Sequence, residues 1–159
     1  MYDFVNELGY LAIATRFKRL SDVMVHSGRK MYKELGIDVE PNWFLIFKLL
    51  KKYESLSVTE IANKLHFSHP SVITLIQKME QNGYVSAVSD NQDARKRNYS
   101  LTSKAISMLP KLEVIWEAGT VAVKNMFKEN SEFLNELEQL EIQFSKQSFK
   151  DRTLNHIES

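Results

Sequence analysis

A short segment in the middle of the sequence carries the side chains best suited to hydrogen-bond recognition. Residues 68–79 place apolar residues at the spacing of one helical face, at Val72, Leu75, Ile76 and Met79. The side chains left for the opposite face can all donate or accept hydrogen bonds: Ser68, His69, Ser71, Thr74, Gln77 and Lys78. Because any surface helix is polar outside, an ordinary solvated helix is the alternative interpretation.

A basic run follows an acidic turn further along the chain. Asp90 and Asp93 lead into Arg95, Lys96 and Arg97, and the flanking segments alternate apolar and polar residues. This pattern predicts a β-hairpin with a cationic tip, which is suited to phosphates or to a narrow minor groove. For three basic residues by themselves, a solvated turn is the alternative.

Boundary signals predict the helices that position these side chains. Ser57 and Glu60 have the spacing of a capping box at the start of a short helix. Ser68 can cap the next helix, which holds the polar face, and Gly83 ends it. Two short helices with a tight turn, followed by a hairpin, form the order of a winged helix-turn-helix, whose second helix enters the major groove of DNA.

Helices also account for the rest of the chain. Apolar residues recur at steps of three and four over residues 13–35, before Gly36 as the expected C-cap. Pro41 is expected to open a second, buried helix. Thr102 and Ser131 are predicted to cap two later helices, the second being the last of the chain. The predicted fold is mainly α with a small β-hairpin wing.

The composition excludes several kinds of chemistry. The chain of 159 residues has no cysteine, which excludes disulfides, thiolate metal sites and cysteine nucleophiles. We find no glycine-rich phosphate loop, nucleophile elbow or distinct pair of acids, and therefore expect no enzyme and no cofactor. His66 and His69 straddle the turn between two predicted helices, so we expect no metal site either.

The N-terminus lacks a basic segment followed by an uninterrupted apolar run, and no stretch approaches the ~20 apolar residues of a membrane span. We therefore expect a soluble, cytoplasmic protein that does not associate with membranes.

Four sequence elements between Ser57 and Lys104 occur together in one known family. They are the helix LSVTEIANKL, the helix end KMEQNGYV, the wing element Asp90-x-x-Asp93-x-Arg95, and the stretch SLTSKA that leads into the next helix. In this combination the chain resembles the MarR family of bacterial transcription factors, whose order of helices covers nearly the whole sequence.

The resemblance implies roles for the residues already singled out. Ser68 through Lys78 would lie in the major groove, and Arg95, with Lys96 and Arg97, beside the minor groove. Asp93 would brace the wing by pairing with an arginine. The chain departs from the family at Thr74, where arginine is frequent, and at Asn91, where proline is frequent.

The resemblance also implies a homodimer. Residues 1–36 and 103–159 would form a helical dimerisation region, and residues 37–102 the DNA-binding module. Independently, two helical seams supply more apolar surface than a small domain needs: Leu109, Leu112 and Trp116, and Phe133, Leu137, Leu140 and Phe144. A core within a single chain is the alternative use of these seams.

A small aromatic or anionic effector is a further implication of the resemblance. Arg16, His26, Trp43, Phe47 and Trp116 could line its pocket, although aromatic residues at helical spacing also fit an ordinary core. The residues and the resemblance together predict a homodimer that binds double-stranded DNA at a near-palindromic operator. The resemblance alone implies that it is a repressor and that a ligand relieves it. The alternative is a winged-helix protein-interaction module without DNA binding, which the net charge of +1 would fit.

Overall fold

The computed structural model describes residues 2–89, 97–128 and 130–157, which are mainly helical. These residues form two compact units, the first ending at Leu109 and the second beginning at Pro110. Among the described residues, no helix is both long enough and apolar enough to cross a membrane.

The first unit contains the predicted elements in their predicted order, with α1 and β1 in addition. They are α1 (Phe4–Glu7), α2 (Ile13–Glu34), α3 (Phe44–Tyr53), β1 (Ser55–Ser57), α4 (Val58–Leu65), α5 (His69–Gln81), β2 (Val85–Ser89) and β3 (Arg97–Leu101), with α6 (Ser103–Met126) starting at its end. Helices combined with a small antiparallel sheet confirm the predicted fold class.

The predicted boundary signals operate locally. Gly36 follows α2 with a φ of 65°, a left-handed conformation that glycine adopts without strain. At the start of α4, the Glu60 amide donates to Ser57 Oγ at 3.3 Å and the Ser57 amide donates to Glu60 Oε2 at 2.8 Å. Thr102 Oγ1 accepts from the Ala105 amide at 3.2 Å and caps α6. These short-range contacts confirm the predicted helix starts at Ser57 and Thr102.

The sheet has one strand more than the predicted hairpin. Its order is β1-β3-β2, with both pairings antiparallel, so that β3 lies in the centre. Leu56 of β1 lies opposite Tyr99, and Ala87 of β2 lies opposite the same residue. A strand of three residues is too short to show an alternating pattern in the sequence, and β1 forms because β3 offers it a partner.

The core of this unit lies where α3, α4 and α5 meet the sheet. Trp43 and Phe47 each direct a ring edge toward Tyr84, with centroids 5.6 Å apart in both pairs. The helix that Pro41 was expected to open begins instead as a 3-10 turn, Pro41–Trp43, and Phe44 at its end remains 40% exposed. Residues with less than 2% exposure include Ile46, Phe47, Ile61, Val72, Ile76, Met79, Tyr84 and Val85.

The second unit continues along α6 and adds α7 (Glu132–Lys146) and α8 (Phe149–Ile157). Helix α8 corrects the prediction that the helix after Ser131 is the last. Ser148 caps α8 by accepting from the Asp151 amide at 3.1 Å. Ser131 makes no side-chain capping bond, and Asn130 Oδ1 accepts from the Glu132 amide at 2.8 Å instead. The longer amide side chain of Asn130 thus replaces the predicted cap.

Candidate nucleic-acid interface

The outer face of α5 displays the predicted polar side chains. All six, from Ser68 to Lys78, are exposed, while the apolar stripe of the same helix is buried. Ser68 Oγ accepts from the Ser71 amide at 3.4 Å and lies 2.7 Å from Ser71 Oγ. Thr74 Oγ1 donates to the Pro70 carbonyl at 3.0 Å. These contacts stabilise the first turns of α5, so its hydroxyl groups have defined positions.

The turn that follows α5 is fastened to the start of α6. Gly83 adopts a φ of 72°, and Thr102 Oγ1 donates to its carbonyl at 2.7 Å. Lys104 Nζ donates to the Asn82 carbonyl at 2.7 Å and lies 4.2 Å from the centroid of the Tyr84 ring. The sequence elements KMEQNGYV and SLTSKA therefore meet in space and fix the end of α5 relative to the sheet.

Tyr84 anchors this turn in the core. Its side chain is 1% exposed, and its amide donates to the Met79 carbonyl at 2.9 Å. Burial raises the pKa of the Tyr84 phenol above its ordinary value of 10.0, and the nearby carboxylate of Asp38 adds to the increase. The phenol is therefore neutral at physiological pH.

The base of the wing is joined to α5 by an ion pair. Arg97, the first residue of β3, places Nη2 2.8 Å from Glu80 Oε1, and its guanidinium carbon lies 5.3 Å from the centroid of the Tyr99 ring. The other predicted wing residues, Asp93, Arg95 and Lys96, lie outside the described residues.

A match to a known family agrees with this arrangement. The model of the MarR family matches residues 37–96, which are 60 of the 159 residues and include α3, α4, α5 and β2. Over this segment the chain is similar to the MarR family.

Individual proteins are similar to this chain at low sequence identity. The HTH-type transcriptional regulator PapX of Escherichia coli is 23% identical over 94 residues, which cover 59% of this chain and only 57% of PapX. The S. aureus MepR–DNA complex superimposes with a TM-score of 0.71 at 18% identity, covering 82% of this chain and 96% of MepR. A MarR variant from E. coli in complex with operator DNA superimposes with a TM-score of 0.66 at 14% identity, covering 89% of this chain and 98% of the MarR chain.

The five residues proposed for an effector pocket do not converge in the first unit. Trp43 lines an open cleft of about 650 Å³, but Phe47 is fully buried in the core. His26 borders a separate depression on α2, and Arg16 is exposed near the start of that helix. Trp116 belongs to α6 in the second unit and is half-buried.

The cleft beside Trp43 contains residues that the sequence analysis did not select. Arg29, Tyr32 and Lys33 of α2 face Lys78 and Asn82 at the end of α5 across this space. Arg29 Nε donates to Glu40 Oε2 at 2.7 Å, which leaves Lys33 and Lys78 as the cations without a carboxylate partner in the described part of the cleft. The spacing of Arg29 and Lys33, four residues apart on one helical face, was the available sequence signal.

Metal ions are held in proteins by groups of ligand side chains. Among the described residues, no group of three histidine, aspartate or glutamate side chains could hold a metal ion. His69 Nε2 lies instead 3.5 Å from Thr59 Oγ1, which connects the start of α5 to α4.

Proposed function

We propose that this chain is a sequence-specific transcriptional regulator that binds double-stranded DNA as a homodimer at a near-palindromic operator, as a repressor. The observation that carries the proposal is the exposed polar face of α5, seated on the core beside a wing strand. In a winged helix-turn-helix this helix enters the major groove. The description of PapX as a transcriptional regulator and the DNA complexes of MepR and MarR support the same function.

The proposed DNA contacts divide into two groups. Side chains of α5 face the major groove: Ser68, His69, Ser71, Thr74, Gln77 and Lys78. Arg95, Lys96 and Arg97 of the wing face the backbone and the minor groove, with Asp93 as the brace. Lys78 also borders the cleft, so a ligand bound there would lie beside a proposed DNA contact.

Dimerisation through residues 1–36 and 103–159 is supported by exposed apolar side chains in both units. On α2, Leu20, Val23 and Met24 are each more than half exposed, at 60%, 61% and 56%. In the second unit, Leu134 is 64% exposed and Phe144 is 52% exposed. Apolar surface of this extent on regular helices is typical of a protein interface, and a symmetric dimer would place two reading helices roughly 34 Å apart.

Selection of bound duplexes from a random DNA pool tests this proposal. We expect a near-palindrome to be enriched and its affinity to fall steeply with salt, by about 10³–10⁵ between 50 and 200 mM if the dimer contacts 6–10 phosphates. Sedimentation of the complex should give two chains per duplex. Failure to enrich any sequence, with weak binding at low salt, would instead favour a protein-interaction module.

Relief by an effector belongs to the same proposal, and the cleft between α2 and α5 supports it. Trp43 and Tyr32 border the cleft with the small part of each ring that is exposed, 3% and 4%, while Lys33 and Lys78 offer positive charge. These groups suit an aromatic carboxylate, which would change the position of α5 relative to α2. Titration with benzoate should quench tryptophan fluorescence and weaken DNA binding. Lys33→Ala should abolish both effects, because it removes a cation of the cleft. Cyclohexanecarboxylate, which has the carboxylate without the aromatic ring, is the control ligand. Unchanged DNA binding at saturating benzoate would remove this class of effector.

A further inference from the structure

The hydroxyl groups on the outer face of α5 are already engaged within the helix. Thr74 Oγ1 donates its proton to the Pro70 carbonyl at 3.0 Å, and the hydroxyls of Ser68 and Ser71 lie 2.7 Å apart. A hydroxyl has a single proton to donate. Because Oγ1 donates its proton to Pro70, Thr74 can offer a DNA groove only acceptor positions and its methyl group.

Gln77 lies one turn beyond Thr74 and differs from it in this respect. Its side chain is exposed and makes no hydrogen bond to the part of the chain that the structure describes. The amide therefore offers both its N–H donors and its carbonyl acceptor to a partner. Among the bases, adenine presents the matching pair in the major groove, an N6 donor beside the N7 acceptor.

The two side chains are close enough to contact neighbouring base pairs. Residues three apart on a helix have Cβ atoms about 5–6 Å apart, and successive base pairs are stacked about 3.4 Å apart. The methyl group of Thr74 is suited to the C5-methyl group of thymine, which is the apolar feature of the major groove.

We propose that α5 recognises an A·T-containing step in each half-site, in which Gln77 forms two hydrogen bonds to an adenine and the Thr74 methyl group contacts a thymine methyl group. This inference rests on the proposed DNA-binding function and names the bases that the helix reads.

A cycle between protein and DNA changes tests the thymine contact. Thr74→Ser removes the methyl group and keeps the hydroxyl, whereas Thr74→Val keeps the methyl group and removes the hydroxyl. Each variant is titrated against the selected operator and against duplexes in which deoxyuridine replaces one thymine per half-site. We expect Thr74→Ser to weaken binding to the operator about fourfold per half-site. Deoxyuridine in place of the contacted thymine should weaken binding of the unmodified protein by the same factor, and the Thr74→Ser variant should lose no further affinity on the deoxyuridine duplex. Thr74→Val should bind within about twofold of the unmodified protein.

The adenine contact is tested by a switch of preference. Gln77→Glu should change the preferred base from adenine to cytosine, because a carboxylate accepts from cytosine N4. Gln81→Glu makes an equal charge change one turn further along α5. It should weaken binding to all DNA sequences without changing the preferred base. An unchanged preference for Gln77→Glu, or a tenfold loss for Thr74→Val, would overturn the inference while leaving DNA binding intact. Absence of any enriched operator would instead overturn the proposed function.

Discussion

Arg97 and Glu80 form an ion pair that connects the wing to the helix proposed to enter the major groove. Arg97 Nη2 lies 2.8 Å from Glu80 Oε1, and the two side chains are 62% and 34% exposed. Exposed pairs contribute little to stability, about 0–1 kcal/mol. The main consequence of this pair is therefore positional: it holds the guanidinium group of Arg97 against α5.

Removal of the Glu80 carboxylate should release Arg97 to a phosphate. We expect Glu80→Gln to strengthen non-specific DNA binding and to increase the salt slope, the dependence of log affinity on log salt, by about 0.9 for each phosphate gained per chain. Fluorescence anisotropy over a salt series measures both quantities. If Glu80→Gln instead binds DNA more weakly with an unchanged salt slope, the ion pair only holds β3 against α5. In that case Arg97→Ala, which removes the other partner of the pair, should weaken DNA binding in the same way.

Tyr84 should be among the residues on which the first unit depends most. Tyr84→Ala removes a ring that contacts Trp43 and Phe47, and we expect a loss of about 3–5 kcal/mol in the free energy of unfolding. Urea denaturation measures this loss. Tyr53→Ala, at a tyrosine that is 40% exposed, is the control and should lose much less. Equal losses would contradict the central position of Tyr84.

Tyr84 should also influence stability at alkaline pH. Its pKa in the folded protein is raised above the ordinary 10.0, mainly by burial, so the folded state holds the phenolic proton more tightly than the unfolded state. The corresponding stability is fully present below pH 10.0 and is lost as the pH rises through the folded pKa. In the Tyr84→Phe variant, stability should fall less steeply as the pH rises through this range. Unfolding followed by circular dichroism at several pH values measures the difference. An identical pH dependence in both proteins would contradict this assignment.

The capping box of α4 should contribute measurably to stability. Ser57→Ala removes the acceptor of the Glu60 amide, and we expect a loss of about 1 kcal/mol in the free energy of unfolding. Ser86→Ala, on an exposed position of β2, is the matched control and should change little. If Ser57→Ala is as stable as the control, the cap does not stabilise α4.

The exposed apolar face of α2 should be required for dimerisation. Leu20→Glu places a charge on a side chain that is 60% exposed, so the fold of one chain should tolerate it while a buried interface should not. We expect sedimentation to show a folded monomer with much weaker DNA binding. Lys18→Glu, two residues earlier, controls for added negative charge on the same helix. A Leu20→Glu protein that remains dimeric would exclude this face as the interface.

The sequence by itself determined most helix boundaries and the polar face of α5. Capping signals such as Ser57 with Glu60, and the glycine after α2, act between residues a few positions apart, so their spacing in the sequence contains the information. The same holds for the buried stripe of α5, because helical period alone decides which side chains share a face.

Only the tertiary structure decided which distant groups meet. Strand β1 forms by pairing with β3, and Arg97 of β3 forms an ion pair with Glu80 of α5. Lys78 borders a cleft together with Arg29 and Lys33. Trp43 and Phe47 both contact Tyr84 in the core, but of these two only Trp43 also borders that cleft. Contacts between residues far apart in the chain depend on how helices and strands pack, and the local periodicity of a sequence does not encode that packing directly.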